Sequence, residues 1–181
     1  MNTSVKNIVA IGIGSAIFFL LARFVSIPVF VNTNFTFQYA ALAFFAVVFG
    51  PIVGALVGFI GHTLADLAFG WGIWWTWVVM SGVVGCAFGL IMKGVPIEKG
   101  SFDKTKQIIR FVVLSSLVHV IAWGALAPTL DIFIYQQDPS LVYTQGVLSG
   151  LMNISTTATV GAILLIAYSK TQIAEGSLTK E

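Results

Sequence analysis

Long apolar runs, broken only by short polar or turn-forming stretches, set the pattern of this chain. The first run, Ile8 to Ala22, lies between Lys6 and Arg23. A signal peptide shares that basic start, but no small-x-small cleavage site closes the run, since Arg23 and Phe24 follow Ala22. It is therefore expected to be a retained first helix. The runs together predict six helices, at about 8–27, 35–49, 52–69, 74–92, 108–130 and 144–168, in a single transmembrane domain over residues 1–181. Pro28 is expected to end the first helix and Val29 to Asn34 to form a loop. Gly50-Pro51 reads as a tight turn, and Asp131 to Tyr143 as a second loop around the turn signal Asp138-Pro139. The second helix is short for a bilayer crossing, which takes about 20 residues.

Composition narrows the class. The chain is 57% hydrophobic and 9% charged, where a soluble domain carries about 25% charged residues. In lipid the backbone must satisfy its own hydrogen bonds, which leaves helices or a closed barrel. Barrel strands alternate apolar and polar positions, and these runs are continuous. The expected fold is an all-α membrane protein, a bundle of six transmembrane helices. Eight of the nine Lys and Arg residues fall before the first helix, in or beside the loop between the fourth and fifth, or in the tail. Basic residues favour the cytoplasmic side, so both termini are expected there. Cys86 is the only cysteine, which excludes an internal disulfide. No internal repeat is visible, which weighs against a secondary transporter built from two repeated halves.

Small residues recur where lipid-embedded helices need close approach. Ala10 and Gly14, and Gly12 and Ala16, are spaced by four in the first helix. Gly50, Gly54 and Gly58 repeat that spacing, and Gly82, Gly85 and Gly89 lie in the fourth helix. Packing within the bundle accounts for most such motifs. The pair Ala10 and Gly14 is the best candidate for contact with a partner.

Polar groups inside spans are costly and mark function by default. His62 and Asp66 are four apart and share a face. Ser115, His119 and Trp123 repeat that spacing, as do Ser149, Asn153 and Thr157, and Gln38 opens the second helix. These groups could line one outward pocket, or form a hydrogen-bond network that only holds the bundle together. No metal site is expected, because two histidines and one nearby carboxylate do not make a zinc pattern. Four of the five tryptophans lie between Gly70 and Trp77. They suit an interfacial aromatic belt or a stacking wall for a flat ligand, with Trp71, Trp74 and Trp75 on one side of a helical start and Trp123 at similar depth. No nucleotide-binding loop, zinc-protease motif or nucleophile elbow is present. An intramembrane enzyme is therefore the weaker class, and a ligand-binding membrane subunit or transporter the stronger. Nothing points to nucleic acid or a cofactor.

The stretches Val9-Ala-Ile-Gly-Ile-Gly14, Arg23-Phe-Val-Ser-Ile-Pro28, Phe49-Gly-Pro-Ile-Val-Gly54, Gly58-Phe-Ile-Gly-His-Thr-Leu-Ala-Asp66 and Phe69-Gly-Trp-Gly-Ile-Trp-Trp75 carry a resemblance. The chain resembles the substrate-binding subunits (S components) of energy-coupling factor (ECF) vitamin transporters, most closely the subgroup for hydroxymethylpyrimidine or pyridoxine-like compounds. The resemblance implies six helices in the bacterial plasma membrane and an outward site closed by the loop after the first helix. It also implies docking through Ala10 and Gly14 to a transmembrane coupling subunit (T component) driven by two ATPases. ATP hydrolysis would then sit on partner chains, and this chain would bind substrate without being an enzyme. The expected ligand contacts are stacking by Trp71, Trp74, Trp75 and Trp123, with hydrogen bonds from Gln38, His62, Asp66, His119 and Asn153. The alternative is a stand-alone small-solute transporter or channel.

Overall fold

The computed structural model describes residues 3–70, 72–95, 97, 102 and 105–172. Trp71, Lys99, Lys104 and Lys180 lie outside them. The described chain is mostly helical. Its helices are α1 (Thr3–Phe24), α2 (Gln38–Phe49), α3 (Pro51–Phe69), α4 (Trp75–Ile91), α5 (Thr105–Tyr135) and α6 (Pro139–Thr171). Between α1 and α2 stand two antiparallel strands, β1 (Ser26–Phe30) and β2 (Thr33–Thr36). By length and apolarity α1, α3, α5 and α6 can cross a membrane. The 12 residues of α2 span only about 18 Å at 1.5 Å per residue, less than the hydrocarbon core of about 30 Å.

The largest departures from the sequence expectation fall at two places. The first helix stops at Phe24 rather than Ile27, and a hairpin replaces the expected loop. β-Branched Val25, Ile27, Val29 and Val31 favour extended backbone. Pro28 cannot donate to a ladder, and the register shifts between Pro28 and Phe30. Asn32 takes a left-handed turn conformation at φ 49°. At the other boundary, α5 continues through Asp131 to Tyr135 and α6 starts at Pro139, so the long expected loop shrinks to three residues. Gln136 closes α5 in the left-handed region. Asp138 caps α6, accepting from the amides of Ser140 at 2.8 Å and Leu141 at 3.1 Å. The Ser140 hydroxyl and those two amides hold the exposed Asp138 carboxyl below its ordinary pKa.

α5 and α6 each contain one π turn, over Ala122–Leu126 and Thr157–Gly161. The first has a cause in the sequence. Pro128 lacks an N–H and its ring crowds the carbonyl four residues back. The helix widens there, and the Ala127 amide bonds to the Ala122 carbonyl five residues away. The widened turn pushes the Trp123 carbonyl onto Gly146 of α6, where a Cβ would not fit.

α3 and α4 meet backbone to backbone. A Cβ built on Gly54 would run into the Gly85 carbonyl, and one on Gly85 into the Gly54 carbonyl. Pro51 presses on Gly89 in the same way. Around this crossing lies the apolar core, with Val53, Val57, Val84 and Phe88 fully buried. Ala10 and Gly14 of α1 also face inward: Ala10 is buried, and a Cβ on Gly14 would strike Val57 and Phe45. These two residues are thus packing positions within this chain. Gly12 and Ala16, on the same helix, are exposed.

Candidate functional site: an aromatic-walled cavity at one end of the bundle

α3 delivers His62 and Asp66 to its last turns, and α4 starts directly beside them. The Trp74 amide donates to Asp66 Oδ2 at 2.9 Å, so the carboxylate satisfies an orphan donor at the start of α4. His62 Nε2 stands 3.4 Å from Asp66 Oδ1, and its Nδ1 lies 2.6 Å from the Ser81 hydroxyl. Ser81 also meets the Tyr39 hydroxyl at 2.7 Å, which ties α2 to the same network.

Asp131 of α5 reaches α4 from the opposite side. Its Oδ2 accepts from the indoles of Trp74 at 2.9 Å and Trp77 at 2.7 Å, and its Oδ1 accepts from the Thr76 hydroxyl. A carboxylate buried to 1% exposure is expensive unless its oxygens are filled, and three donors fill them here. Trp77 is thereby fixed, and it stacks on Trp123 of α5 with ring centroids 5.4 Å apart and planes 12° from parallel. Trp123 is held from behind. Its indole donates to His119 Nδ1 at 2.9 Å, so the His119 proton sits on Nε2, 3.0 Å from the Thr157 hydroxyl. His119 thus joins the two π turns, because Trp123 lies in one and Thr157 in the other.

These groups enclose a cavity of about 170 Å³. Trp74, Trp77, Trp123, Tyr39 and Phe69 give it aromatic walls. Gln145, Ser149 and Asn153, spaced by four along α6, supply a polar edge. The hairpin closes the top with Asn32, Thr33, Asn34 and Thr36, and the Gln145 amide donates to the Val31 carbonyl at 2.8 Å to tie it down. Asn153 is 6% exposed. No protein group hydrogen-bonds to its side chain among the described residues, so its carboxamide is open to the cavity. No three His, Cys, Asp or Glu residues gather as a metal site among the described residues.

Residues 2–170 match the family described as the ECF-type riboflavin transporter, S component. The chain belongs to this family. A UPF0397 protein of Staphylococcus aureus strain MSSA476 is 45% identical over 181 residues, 99% of this chain and 98% of its own length. A UPF0397 protein of strain Newman is 44% identical with the same coverage. No solved structure matches the chain. An S component is the substrate-binding membrane subunit of its transporter.

Of the residues expected to contact ligand in this S component, Gln38, His62, Asp66, Trp74, Trp123 and Asn153 line the cavity. Trp75 does not. It is 48% exposed and stacks on Phe59 outside the site. Trp77 takes its place, because two residues on a helix point about 200° apart. His119 is fully buried behind Trp123 and positions it instead of lining the space. Trp71 lies outside the described residues. Sequence reasoning missed Asp131, Trp77, Tyr39 and the hairpin residues. Asp131 was hidden by its own charge, which made the helix seem to end at Leu130. The available signal was the Pro128-x-x-Asp131 stretch continuing into apolar Ile132, Phe133 and Ile134.

Proposed function

We propose that this chain captures a small heteroaromatic vitamin or precursor, hydroxymethylpyrimidine ahead of pyridoxine, for an ECF-type importer. The observation that carries the proposal is the cavity between the stacked Trp77–Trp123 wall and the unpartnered Asn153 amide. An apolar cavity of about 150 Å³ takes up benzene, so about 170 Å³ suits one substituted ring. Asn pairs bidentately with a ring nitrogen and an adjacent amino group, as it does on adenine. An aminopyrimidine offers that edge and pyridoxine does not.

In this reading the helices cross the bacterial plasma membrane six times, both termini are cytoplasmic, and the cavity opens outward under the β1–β2 hairpin. The single-domain chain is not an enzyme, and its partners are a T component and two ATPases. The burial of Ala10 and Gly14 moves the docking surface around α1, to the exposed Gly12 and Ala16. A Cβ on Gly12 would meet nothing within 4 Å in this chain, so the position is open to a neighbouring helix.

Calorimetric titration of the purified chain with hydroxymethylpyrimidine tests the proposal. One saturable site is expected, weakened at least about tenfold by Asp66→Asn and by Trp123→Ala, since each tenfold is about 1.4 kcal/mol. Unchanged affinity in both variants would remove the site. Ligand uptake by vesicles containing this chain alone would instead favour a stand-alone transporter.

A further inference from the structure

We infer that the cavity selects its ligand by charge, taking neutral or cationic rings and rejecting anionic derivatives of the same size. The inference rests on the binding-subunit reading and adds a specificity rule to it. Among the described residues the lining contains two carboxylates, Asp66 and Asp131, and neither Lys nor Arg. Both carboxylates are buried, at 4% and 1% exposure. Among the described residues the donors to Asp131 are all neutral: two indoles and a hydroxyl. Its charge is therefore stabilised by dipoles and not cancelled. His62 is the one basic side chain among the described lining residues, and it already bridges Asp66 and Ser81. Arg23 lies over the rings of Phe24 and Phe69, at 5.6 and 5.1 Å, and is not part of the lining.

Four donors beside the cavity are also committed to these two carboxylates. The Trp74 and Trp77 indoles, the Thr76 hydroxyl and the Trp74 amide all point at carboxylates. An entering anion would face like charge at low effective dielectric, where repulsion over a few ångströms is far stronger than in water. A neutral ring needs only stacking and the two-sided hydrogen bonding of Asn153. An ammonium group would gain from the same two carboxylates.

The test uses three aminopyrimidines that carry a hydroxymethyl, an aminomethyl or a carboxyl group at one ring position, so that size is matched and charge varies. Each is titrated into the intact purified chain at neutral pH. The expected result is hydroxymethyl and aminomethyl compounds binding within about tenfold of each other and the carboxyl compound at least about a hundredfold weaker, a gap of roughly 2.7 kcal/mol. Asp66→Asn should narrow that gap. Comparable affinity for the carboxyl compound would overturn the charge rule while leaving the binding-subunit reading intact. Failure of all three to bind would overturn the ligand class and the charge rule with it.

Discussion

The two ends of the α3–α4 pair use the same helices in opposite ways. At the end that holds Pro51, Gly54, Gly85 and Gly89, the backbones touch and no side chain intervenes. At the other end His62, Asp66, Trp74, Trp77 and Ser81 fill the interface, and the space beside them opens into the cavity. Neither helix is strongly amphipathic in the soluble sense, because lipid gives no hydrophobic drive for association. Close approach of small residues holds one end together. Hydrogen bonds to buried carboxylates hold the other end open at a fixed width. Stability and binding are thus expected to respond to different residues, and substitutions at each end can separate them.

The largest effect should come from crowding the closed end. Gly54→Leu is expected to abolish recovery of a monodisperse folded protein on size-exclusion chromatography. Gly54→Ala should cost about 1–3 kcal/mol, the usual range for overpacking, and lower the thermal unfolding midpoint. At the open end, Trp77→Ala should leave the protein folded and weaken ligand binding by about 10–100-fold, because stacking of a base on an aromatic side chain is worth about 1–3 kcal/mol. If Trp77→Ala unfolds the chain while Gly54→Ala is silent, the division between the two ends fails.

Asp131→Asn should have a smaller effect, about tenfold in affinity, as charge-assisted bonds worth about 1.5–3 kcal/mol fall toward neutral ones of about 0.5–1.5 kcal/mol. Its signature would be a changed near-ultraviolet dichroism from Trp74 and Trp77. His119→Leu would strand the buried Trp123 indole N–H at about 1–3 kcal/mol of stability. Affinity should then fall less than in Trp123→Ala, since His119 acts only through that ring. Gly12→Leu should touch neither end: thermal midpoint and affinity stay as in the parent, while uptake by the assembled transporter falls. Normal uptake by Gly12→Leu would move the docking surface off this face of α1.

The apolar runs made the helices legible, and the spacing of four made the pairs His62–Asp66 and Ser149–Asn153 legible as shared faces. Both pairs line the cavity. Thr157 continues the second series but lies fully buried against His119, one turn too deep to line the cavity. On α5 a π turn contains Trp123, which faces the cavity while His119 stays behind it. Spacing by four marks a shared face, but not how deep along that face the cavity reaches. The hairpin was illegible for another reason. Its strand β1 is apolar on both faces and largely exposed, so Ser26 and Ile27 read as the end of the first helix and the rest as a loop after Pro28, with no alternating in–out positions to mark a strand.

The most direct measurement is a structure of the chain with hydroxymethylpyrimidine bound. The expected position is a ring against Trp77 and Trp123 with its amino edge on Asn153, beneath the hairpin. Ligand seated elsewhere, such as in the apolar groove formed by Ile17, Leu21, Phe44 and Leu164, would contradict the assignment of the polar end as the binding site.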